Sequence, residues 1–402
     1  MAAGQAALAG HDVTVIEKNS RPARKLMITG KGRCNITNAC DVGDLIANVP
    51  RNGKFLYSAF VGFNSYDTIS FFEGQGLKLK TERGNRVFPA SDKASDVVDT
   101  LVGFAKKSGA KIICETAERL IIGENGVTGL ELKDGKGLDA DAVILATGGK
   151  SYPLTGSTGD GYRMAAEAGH TVIPQMPSLV PLTELGGKCA KMQGLSLKNA
   201  SITVVDNDSG KAVYKDFGEL LFTHFGMSGP LILSASAHMR DMKSGKYRVI
   251  IDLKPALSEE QLDVRIQRDF LEFSNRDFIN ALGKLLPQSM IPVAAEETGI
   301  PFGVKVNNIT KEQRRILVSV LKSFSIDING FRPIDEAIIT SGGVSVGEIN
   351  PKTMESKLVK GLYFAGEVID VDAYTGGFNL QIAFSTGYAA GINVNKRNEG
   401  QQ

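Results

Sequence analysis

A glycine-rich run near the carboxyl end constrains the fold more than any other part of the sequence. The apolar stretch 361–365 predicts a buried strand, and a Gly-Glu pair ending at Glu367 follows it directly. Gly376 and Gly377 then open a stretch with helical character, 380–391. This order puts a carboxylate and free helical N–H groups at the carboxyl edge of a sheet, where α/β proteins bind ligands. An ordinary strand–turn–helix does not need the polar residues found together here. They are Glu367, Asp370, Asp372 and Asn379.

A second buried strand, 13–16, ends in Glu17. In a dinucleotide-binding fold, an acidic residue at this point binds an adenosine ribose, about 20 residues after a glycine fingerprint. On its own, Glu17 is better explained as a solvated carboxylate at a strand end. The sequence starts inside the helix that should follow the fingerprint, so we expect Met1 to be an internal methionine of a longer protein. The alternative is a fold that does without the glycine turn.

The segment from 25 to 38 mixes glycines, cations and an asparagine. Such a loop can wrap a pyrophosphate and present backbone N–H groups to a flavin edge. The alternative is a basic surface loop, but the short distance from Glu17 and the varied residue types favour a ligand. Cys34 is interpreted as a small loop residue and not as a redox thiol, because no resolving thiol is near it in the sequence.

These segments together predict an FAD site. A further buried strand, 142–146, runs into Thr147, Gly148 and Gly149, whose glycines let the backbone approach a ligand at the same sheet edge. Glu367 is placed to bind a ribityl hydroxyl. The N–H groups at the helix start after Gly377 would face the flavin N1/O2 edge and stabilise the negative charge of reduced flavin.

The order of elements predicts a discontinuous α/β domain with an insertion. A helix capped by Ser91 or Asp92 is followed by a small antiparallel meander with tight turns at Gly126 and Gly135. After about Pro174 the pattern changes to strands of a separate β unit and then to amphipathic helices. The predicted boundaries are 1–175 and 335–402 for the cofactor domain, 176–255 and 325–334 for the β unit, and 256–324 for the helical insertion.

Composition limits the classes of binding partner that the sequence favours. The 402 residues carry a formal net charge of +2, which gives no electrostatic case for nucleic acid or an acidic membrane. Four cysteines without a CxxC pair fit a reducing compartment, and no apolar run approaches the roughly 20 residues of a membrane span. A cytoplasmic protein with a small-molecule substrate is therefore expected, and the sequence does not give its oligomeric state.

A polar pair, Thr223 and His224, lies in an apolar, glycine-rich turn. These residues and Tyr374 are candidate proton donors or substrate anchors. A hydrogen-bonded turn histidine explains His224 at least as well. The four histidines show no metal-ligand spacing, so no metal site is expected.

The sequence resembles the BaiN-type family of bacterial NAD(P)/FAD-dependent oxidoreductases, which includes aminoacetone-oxidase-family flavoproteins. The resemblance rests on the stretches 16–38, 146–161, 218–230 and 339–391, and it runs through nearly the whole chain. It implies a two-dinucleotide-binding, Rossmann-like FAD domain with an inserted β-barrel-like unit and a helical unit. It also implies that Glu17 holds the adenosine ribose and that Ala117 contacts the adenine side through its backbone.

The predicted FAD-binding residues combine the motifs with this resemblance. They are Glu17, Lys18, Lys25, Gly30, Gly32, Arg33, Cys34, Asn35, Ala117, Thr147, Gly148, Gly149, Gly366, Glu367, Asp370, Gly376, Gly377, Asn379, Leu380, Gln381 and Ile382.

The expected function is transfer of a hydride from NAD(P)H through FAD to an unsaturated or carbonyl-bearing small molecule. The resemblance implies reduction of a conjugated double bond in a steroid-type enone as one such reaction. One alternative is a flavoprotein that acts on RNA, against which the near-neutral charge and the lack of a basic, aromatic-rich patch argue. A second is a non-catalytic remnant, which only the missing glycine turn supports.

Overall fold

The computed structural model describes residues 1–394 and divides the chain into two compact units. Unit 1 comprises Met1–Ser178 and Ile334–Gln402, and unit 2 comprises Leu179–Pro333. The end of the predicted segment 335–402, from position 395 onwards, lies outside the described residues. The strands and the helices of the predicted insertion fall together in unit 2.

The strands are numbered in chain order. They are β1 Thr14–Ile16, β2 Thr37–Asn38, β3 Leu79–Glu82, β4 Arg86–Pro89, β5 Lys111–Ile113, β6 Ala117–Gly123, β7 Gly126–Leu132, β8 Gly137–Asp139, β9 Val143–Leu145, β10 Val172–Ser178, β11 Leu182–Glu184, β12 Ser196–Asp206, β13 Lys211–Thr223, β14 Gly226–Ser228, β15 Tyr247–Asp252, β16 Phe324–Phe331, β17 Ile339–Val344 and β18 Leu362–Phe364.

The α-helices are numbered in the same way. They are α1 Ala2–Leu8, α2 Arg24–Ile28, α3 Val42–Ala47, α4 Tyr57–Gly62, α5 Ser65–Gly74, α6 Ala94–Lys107, α7 Asp160–Glu167, α8 Lys188–Lys191, α9 Pro230–Ser236, α10 Glu259–Glu272, α11 Phe278–Ala281, α12 Ile291–Thr298, α13 Lys311–Lys322 and α14 Phe378–Asn393. No helix in residues 1–394 is both long and apolar enough to cross a membrane.

Unit 1 contains two parallel strand pairs, β1 with β5 and β9 with β18. The predicted meander is confirmed as the antiparallel sheet β6–β7–β8, and its turn glycines Gly126 and Gly135 have φ values of 125° and 86°. The hairpin β3–β4 adds β2 as a third strand, and β10 pairs with β17. The pair of β9 and β18 has apolar, largely buried residues, as expected for strands covered on both faces. The prediction that 13–16 forms a buried strand is wrong, because Thr14 in β1 is exposed and the two residues after it are only half-buried.

Unit 2 is built around a closed barrel in the order β11-β14-β13-β12-β15-β16. The prediction of a mixed α/β protein with a barrel-like insertion is therefore confirmed. Closure removes open strand edges, and alternate residues of β12 point inwards, for example Ile202 and Val204, which are fully buried. The helices α10 to α13 share one apolar core with the barrel.

The prediction that Ser91 or Asp92 caps a helix is wrong. Helix α6 begins at Ala94 with Lys93 in the N-cap position and no side-chain cap. Ser91 Oγ instead donates to Asp96, and the Asp92 carboxylate binds Arg33 and Lys80. Long-range ion pairs therefore take up the Asp92 carboxylate that could have served as a local cap.

Candidate active site

The site in unit 1 centres on the Glu367 carboxylate, which directly follows β18. Its Oε2 lies 2.6 Å from Nζ of Lys25, and its Oε1 accepts from Thr340 N at 2.9 Å and Ser151 Oγ at 3.3 Å. Lys25 Nζ also donates to Ser151 Oγ at 2.7 Å. Most of both charged side chains is buried, 23% of Lys25 and 12% of Glu367 being exposed. The two predicted cofactor segments thus meet in one charge-compensated cluster.

Gly149 makes this cluster possible. A Cβ at this position would collide with Thr340 Oγ1 and lie 2.6 Å from Glu367 Oε1. The hydroxyl of Tyr162 donates to the backbone carbonyl of Glu367 at 3.2 Å. Burial raises the pKa of Tyr162, with Glu367 and Asp370 adding to the effect, so the phenol stays protonated and fixes the backbone here.

Glu17 directly follows β1, and Asn19 links it to the segment that follows Gly149. Its Oε1 accepts from N and Nδ2 of Asn19, both at 2.8 Å, and Asn19 Nδ2 also reaches Thr155 O. Lys18 Nζ binds Asp160 at 2.6 Å. The acidic residue predicted at the ribose position is therefore held in place by Asn19, which also binds the loop at Thr155.

The loop 29–35 has an unusual backbone. Gly30, Lys31, Gly32 and Cys34 all have φ between 57° and 84°. Such left-handed residues in succession fold the loop tightly and expose backbone N–H groups. Cys34 is fully buried, and burial raises the pKa of its thiol to about 11, with a weaker opposing hydrogen bond from Thr29. The thiol is therefore protonated at neutral pH, in agreement with a small loop residue.

Arg33 does not point freely towards a ligand. Its Nε donates to Asp92 Oδ1 at 2.7 Å, and the guanidinium also binds Glu82. The same group stacks on Phe88, 4.2 Å from the ring centroid. Arg33 thus anchors the predicted cofactor segment 25–38, which we call the cofactor loop, to the β3–β4 hairpin. A direct contact of Arg33 with pyrophosphate stays a prediction.

The glycine turn before α14 packs against Thr37 and Asn38, at the end of the predicted cofactor segment 25–38. Gly376 and Gly377 have φ values of 129° and 101°, and a Cβ at Gly377 would lie 2.5 Å from Thr37 O. Asn379 fixes the turn by accepting from Ala373 N at 2.8 Å and donating to Ala373 O at 2.7 Å. No side chain caps the first turn of α14 and no acid lies in it, so its N–H groups can stabilise negative charge.

The residues predicted after Asn379 are more deeply placed. Gln381 is fully buried; its Oε1 accepts from Thr37 and Thr68, and its Nε2 donates to Phe63 O and Ser385. Ile382 is 2% exposed, whereas Leu380 is half-buried. The Gln381 side chain is therefore engaged by the protein, and its role in binding FAD stays a prediction.

Two buried oxygens in the predicted site have no hydrogen-bond partner among residues 1–394, Asn35 Oδ1 and Thr147 Oγ1. Buried polar atoms are rarely left unpaired, so both call for a polar ligand. Ala146, Thr147 and Gly148 follow β9; Ala146 is exposed, and Gly148 has a φ of 74°. Ala117 is the first residue of β6. This donor and acceptor set fits FAD. Glu17, Asn35, Thr147 and the start of α14 would hold it, and FAD would supply the hydride chemistry.

Sequence reasoning missed a neighbouring charged cluster. Arg51 binds Asp370 at 2.5 Å and Ser341 at 2.7 Å, and its Nε lies 3.7 Å from Asp372 Oδ1. Asn52 donates to the Asp370 carbonyl at 2.7 Å. The predicted cofactor residue Asp370 is thus buried in an ion pair. No local pattern around Arg51 signals a partner more than 300 positions away.

The candidate catalytic residues fall in different units. Thr223 and His224 lie in unit 2 at the turn between β13 and β14. Thr223 Oγ1 donates to Gly226 O at 3.0 Å, and His224 is exposed with its ring against Phe225. Tyr374 lies in unit 1, where its backbone N donates to Asn48 O at 3.0 Å. Their catalytic roles stay predictions.

Comparison with known proteins identifies the family. The family model described as HI0933-like protein Rossmann domain matches residues 1–393. The 3-dehydro-bile acid delta(4,6)-reductase of Clostridium scindens is 30% identical over 94% of this chain and 91% of its own length. The ribosomal RNA dihydrouridine synthase of Haemophilus influenzae is 32% identical over 98% of this chain and 95% of its own length. Its namesake from Escherichia coli is 31% identical over 96% and 92%.

The full-length match and these identities confirm the resemblance drawn from the strand-end acids and glycine turns. The chain belongs to the HI0933-like Rossmann family and is an FAD-dependent oxidoreductase.

Proposed function

We propose that this protein passes a hydride from NAD(P)H, through FAD, to a carbon–carbon double bond conjugated to a carbonyl group. The names of the relatives support this proposal. One reduces a 3-dehydro-bile acid, and two make dihydrouridine in ribosomal RNA. Both products arise from a double bond that a carbonyl activates, so the reaction is shared although the substrates differ. Such a reaction needs a hydride source and a proton source.

The single structural observation that carries the proposal is the uncapped start of α14 beside the cofactor loop. Gly377 packs on Thr37, and Asn379 holds the turn rigid. The free N–H groups of this turn favour negative charge, which a reduced flavin carries. The start of α14 would thereby stabilise negative charge on a flavin held there.

The donor is proposed to bind transiently over the flavin. Residues 1–402 contain no G-x-G-x-x-G fingerprint that would mark a separate nicotinamide domain. A cytoplasmic location, where NAD(P)H is abundant, is proposed as well. It is supported by the free state of Cys34, Cys40, Cys114 and Cys189.

A uridine base in RNA is the second candidate substrate, beside a small enone. Two relatives with 31–32% identity over nearly their whole length are named for this activity. The sequence expectation of no nucleic-acid partner rests on the near-neutral net charge and on the lack of a basic, aromatic-rich patch in the sequence, and neither describes the cations that folding brings together. Uracil and a steroid enone place the same conjugated group before the flavin, so the chemistry does not separate them.

The test uses the purified, FAD-loaded protein under anaerobic conditions. NADH or NADPH is added, and loss of the visible flavin absorbance reports reduction. A 4-en-3-one steroid, uridine or a uridine-containing RNA is then added, and return of the absorbance with a saturated product reports transfer. Flavin that is never bleached by either nicotinamide, or reduced flavin that no conjugated acceptor reoxidises, contradicts the proposal.

A further inference from the structure

The hairpin β3–β4 forms an edge of the cofactor loop. Its strands pair from Leu79 with Pro89 to Glu82 with Arg86, so the turn consists of residues 83–85. Gly84 and Asn85 in this turn have φ values of 77° and 57°. A left-handed turn of this kind is tight and holds Arg83 at the tip of the hairpin.

The hairpin tip is tied to the start of α14. Asn38 Nδ2 donates both to Gly84 O at 3.0 Å and to Gly376 O at 3.2 Å. Asn38 also pairs with Arg86 across β2 and β4. One side chain thus bridges the hairpin turn and the glycine turn that we assign to the flavin edge. Whatever docks at the hairpin tip lies beside the reacting end of the cofactor site.

Three exposed cations, Lys31, Arg83 and Arg86, line this edge and form what we call the hairpin rim. Within residues 1–394, no carboxylate lies within ion-pair distance of any of them. The guanidinium of Arg86 donates to Arg83 O, which holds the two arginines close together. Lys31 follows Gly30, and a Cβ on Gly30 would lie 3.5 Å from the Phe88 ring of the same hairpin.

Two acids beside the hairpin, Glu82 and Asp92, are already neutralised. Asp92 binds Arg33 at 2.6 Å and Lys80 at 2.6 Å, and Glu82 binds Arg33 and lies 3.6 Å from Lys80. Two cations therefore offset two carboxylates. The positive charge of the hairpin rim is therefore not compensated by these acids, although the net charge of the whole chain is close to zero.

We propose that the hairpin rim binds the phosphate backbone of an RNA substrate whose target base enters the flavin site; this rests on the proposed function. Arginine guanidinium groups match phosphate oxygens in geometry and charge, and released counterions make such contacts favourable. An uncharged enone gains nothing from a cationic rim and a bile acid offers it one carboxylate, whereas an RNA strand offers a phosphate at every nucleotide. The rim also adjoins the proposed flavin edge, where a flipped base would have to arrive.

The experiment compares the FAD-loaded wild type with Arg83→Ala/Arg86→Ala. A matched control is Lys106→Ala/Lys107→Ala, which removes two exposed cations from the last turn of α6. Binding of a fluorescent, uridine-containing single-stranded RNA is measured by anisotropy across a salt series. Losing two phosphate contacts should weaken binding and make the slope of log K against log salt less steep by about 1.4. The control variant should keep the wild-type slope.

Each outcome bears on the proposal. Wild-type protein that does not bind RNA at low salt, or a rim variant with the wild-type slope, overturns it. A rim variant that raises the KM for NADPH but not for NADH, with unchanged RNA binding, also overturns it and assigns the rim to the donor's extra phosphate. Bleaching by NAD(P)H and reoxidation by a steroid enone report the proposed reductase function separately, so either idea can fail alone.

Discussion

Nζ of Lys25 lies 2.6 Å from Oε2 of Glu367, although 342 positions separate the two residues in the chain. One follows the amino-terminal strand, and the other follows the last strand of unit 1. Their contact joins the two segments of unit 1, which the residues of unit 2 separate in the sequence. The pair also neutralises a carboxylate that is 12% exposed. Removing either charge would therefore leave the other one largely buried and uncompensated, which destabilises the folded state.

The first prediction follows from this dependence. Lys25→Met leaves a largely buried carboxylate without its cation, which should cost about 3 kcal/mol in free energy of unfolding. Lys25→Met/Glu367→Gln removes both charges and keeps the hydrogen bonds from Thr340 and Ser151, so it should recover more than half of the loss. Urea unfolding of the three proteins measures the effect. A double variant as unstable as the single one would show that the charge pairing is not what matters.

Gly149 gives the second prediction. Gly149→Ala should destabilise the protein by about 1–3 kcal/mol and reduce retained flavin, because its Cβ meets Thr340 and Glu367. Gly103→Ala is the matched control, since Gly103 lies in α6 with nothing within 4 Å of its Cβ. That substitution should be neutral or stabilise by about 0.5–1 kcal/mol. Equal behaviour of the two variants in unfolding and in flavin absorbance would remove Gly149 from the site.

His170 gives the third prediction, which concerns pH. Its side chain is fully buried, its Nδ1 lies 3.1 Å from Glu348 Oε2, and its Nε2 lies 2.8 Å from Ser356 Oγ. Burial lowers the pKa of His170 below its ordinary value, outweighing the opposite effect of Glu348. The folded state thus binds its proton less readily than the unfolded state, so stability is full above the ordinary value near 6.5 and falls as pH drops below it.

The measurement is urea unfolding of wild type and His170→Gln between about pH 7.5 and about pH 5.5. The wild type should lose more stability over this range than the variant. His224→Gln, which changes an exposed histidine, should keep the wild-type pH dependence. A His170→Gln profile parallel to that of the wild type would place the pH response elsewhere.

Local chemistry made the strands and glycine turns around the candidate site predictable. Glu17 and Glu367 follow strands that the sequence predicted, and the turns at Gly148 and Gly377 have the positive φ that a glycine signals. Each of these features is set by residues within a few positions of it in the sequence. Strand periodicity and turn chemistry act at that range, so reading them requires no knowledge of distant partners.

Distant pairing could not be derived in the same way. Arg33 looks like a ligand-binding cation in its loop, but Glu82 and Asp92, 49 and 59 positions away, take its guanidinium. Gln381 follows a cofactor motif, yet Thr37 and Thr68 donate to its buried amide. The partners of such side chains are set by the tertiary fold, because a buried polar group without a hydrogen bond is costly whatever its local sequence.

Gly377 gives the last prediction, which tests the helix start itself. Gly377→Ala should both strain a φ of 101° and push the turn away from Thr37, whose carbonyl oxygen would lie 2.5 Å from the new Cβ. Gly299→Ala is the matched control, because Gly299 has a φ of 66° but open space around its Cβ. The control should lose only about 1 kcal/mol and keep its flavin. Gly377→Ala should lose more stability and most of its bound flavin, measured as visible absorbance per protein. Flavin retention equal to the control would mean that the α14 start does not shape the cofactor site.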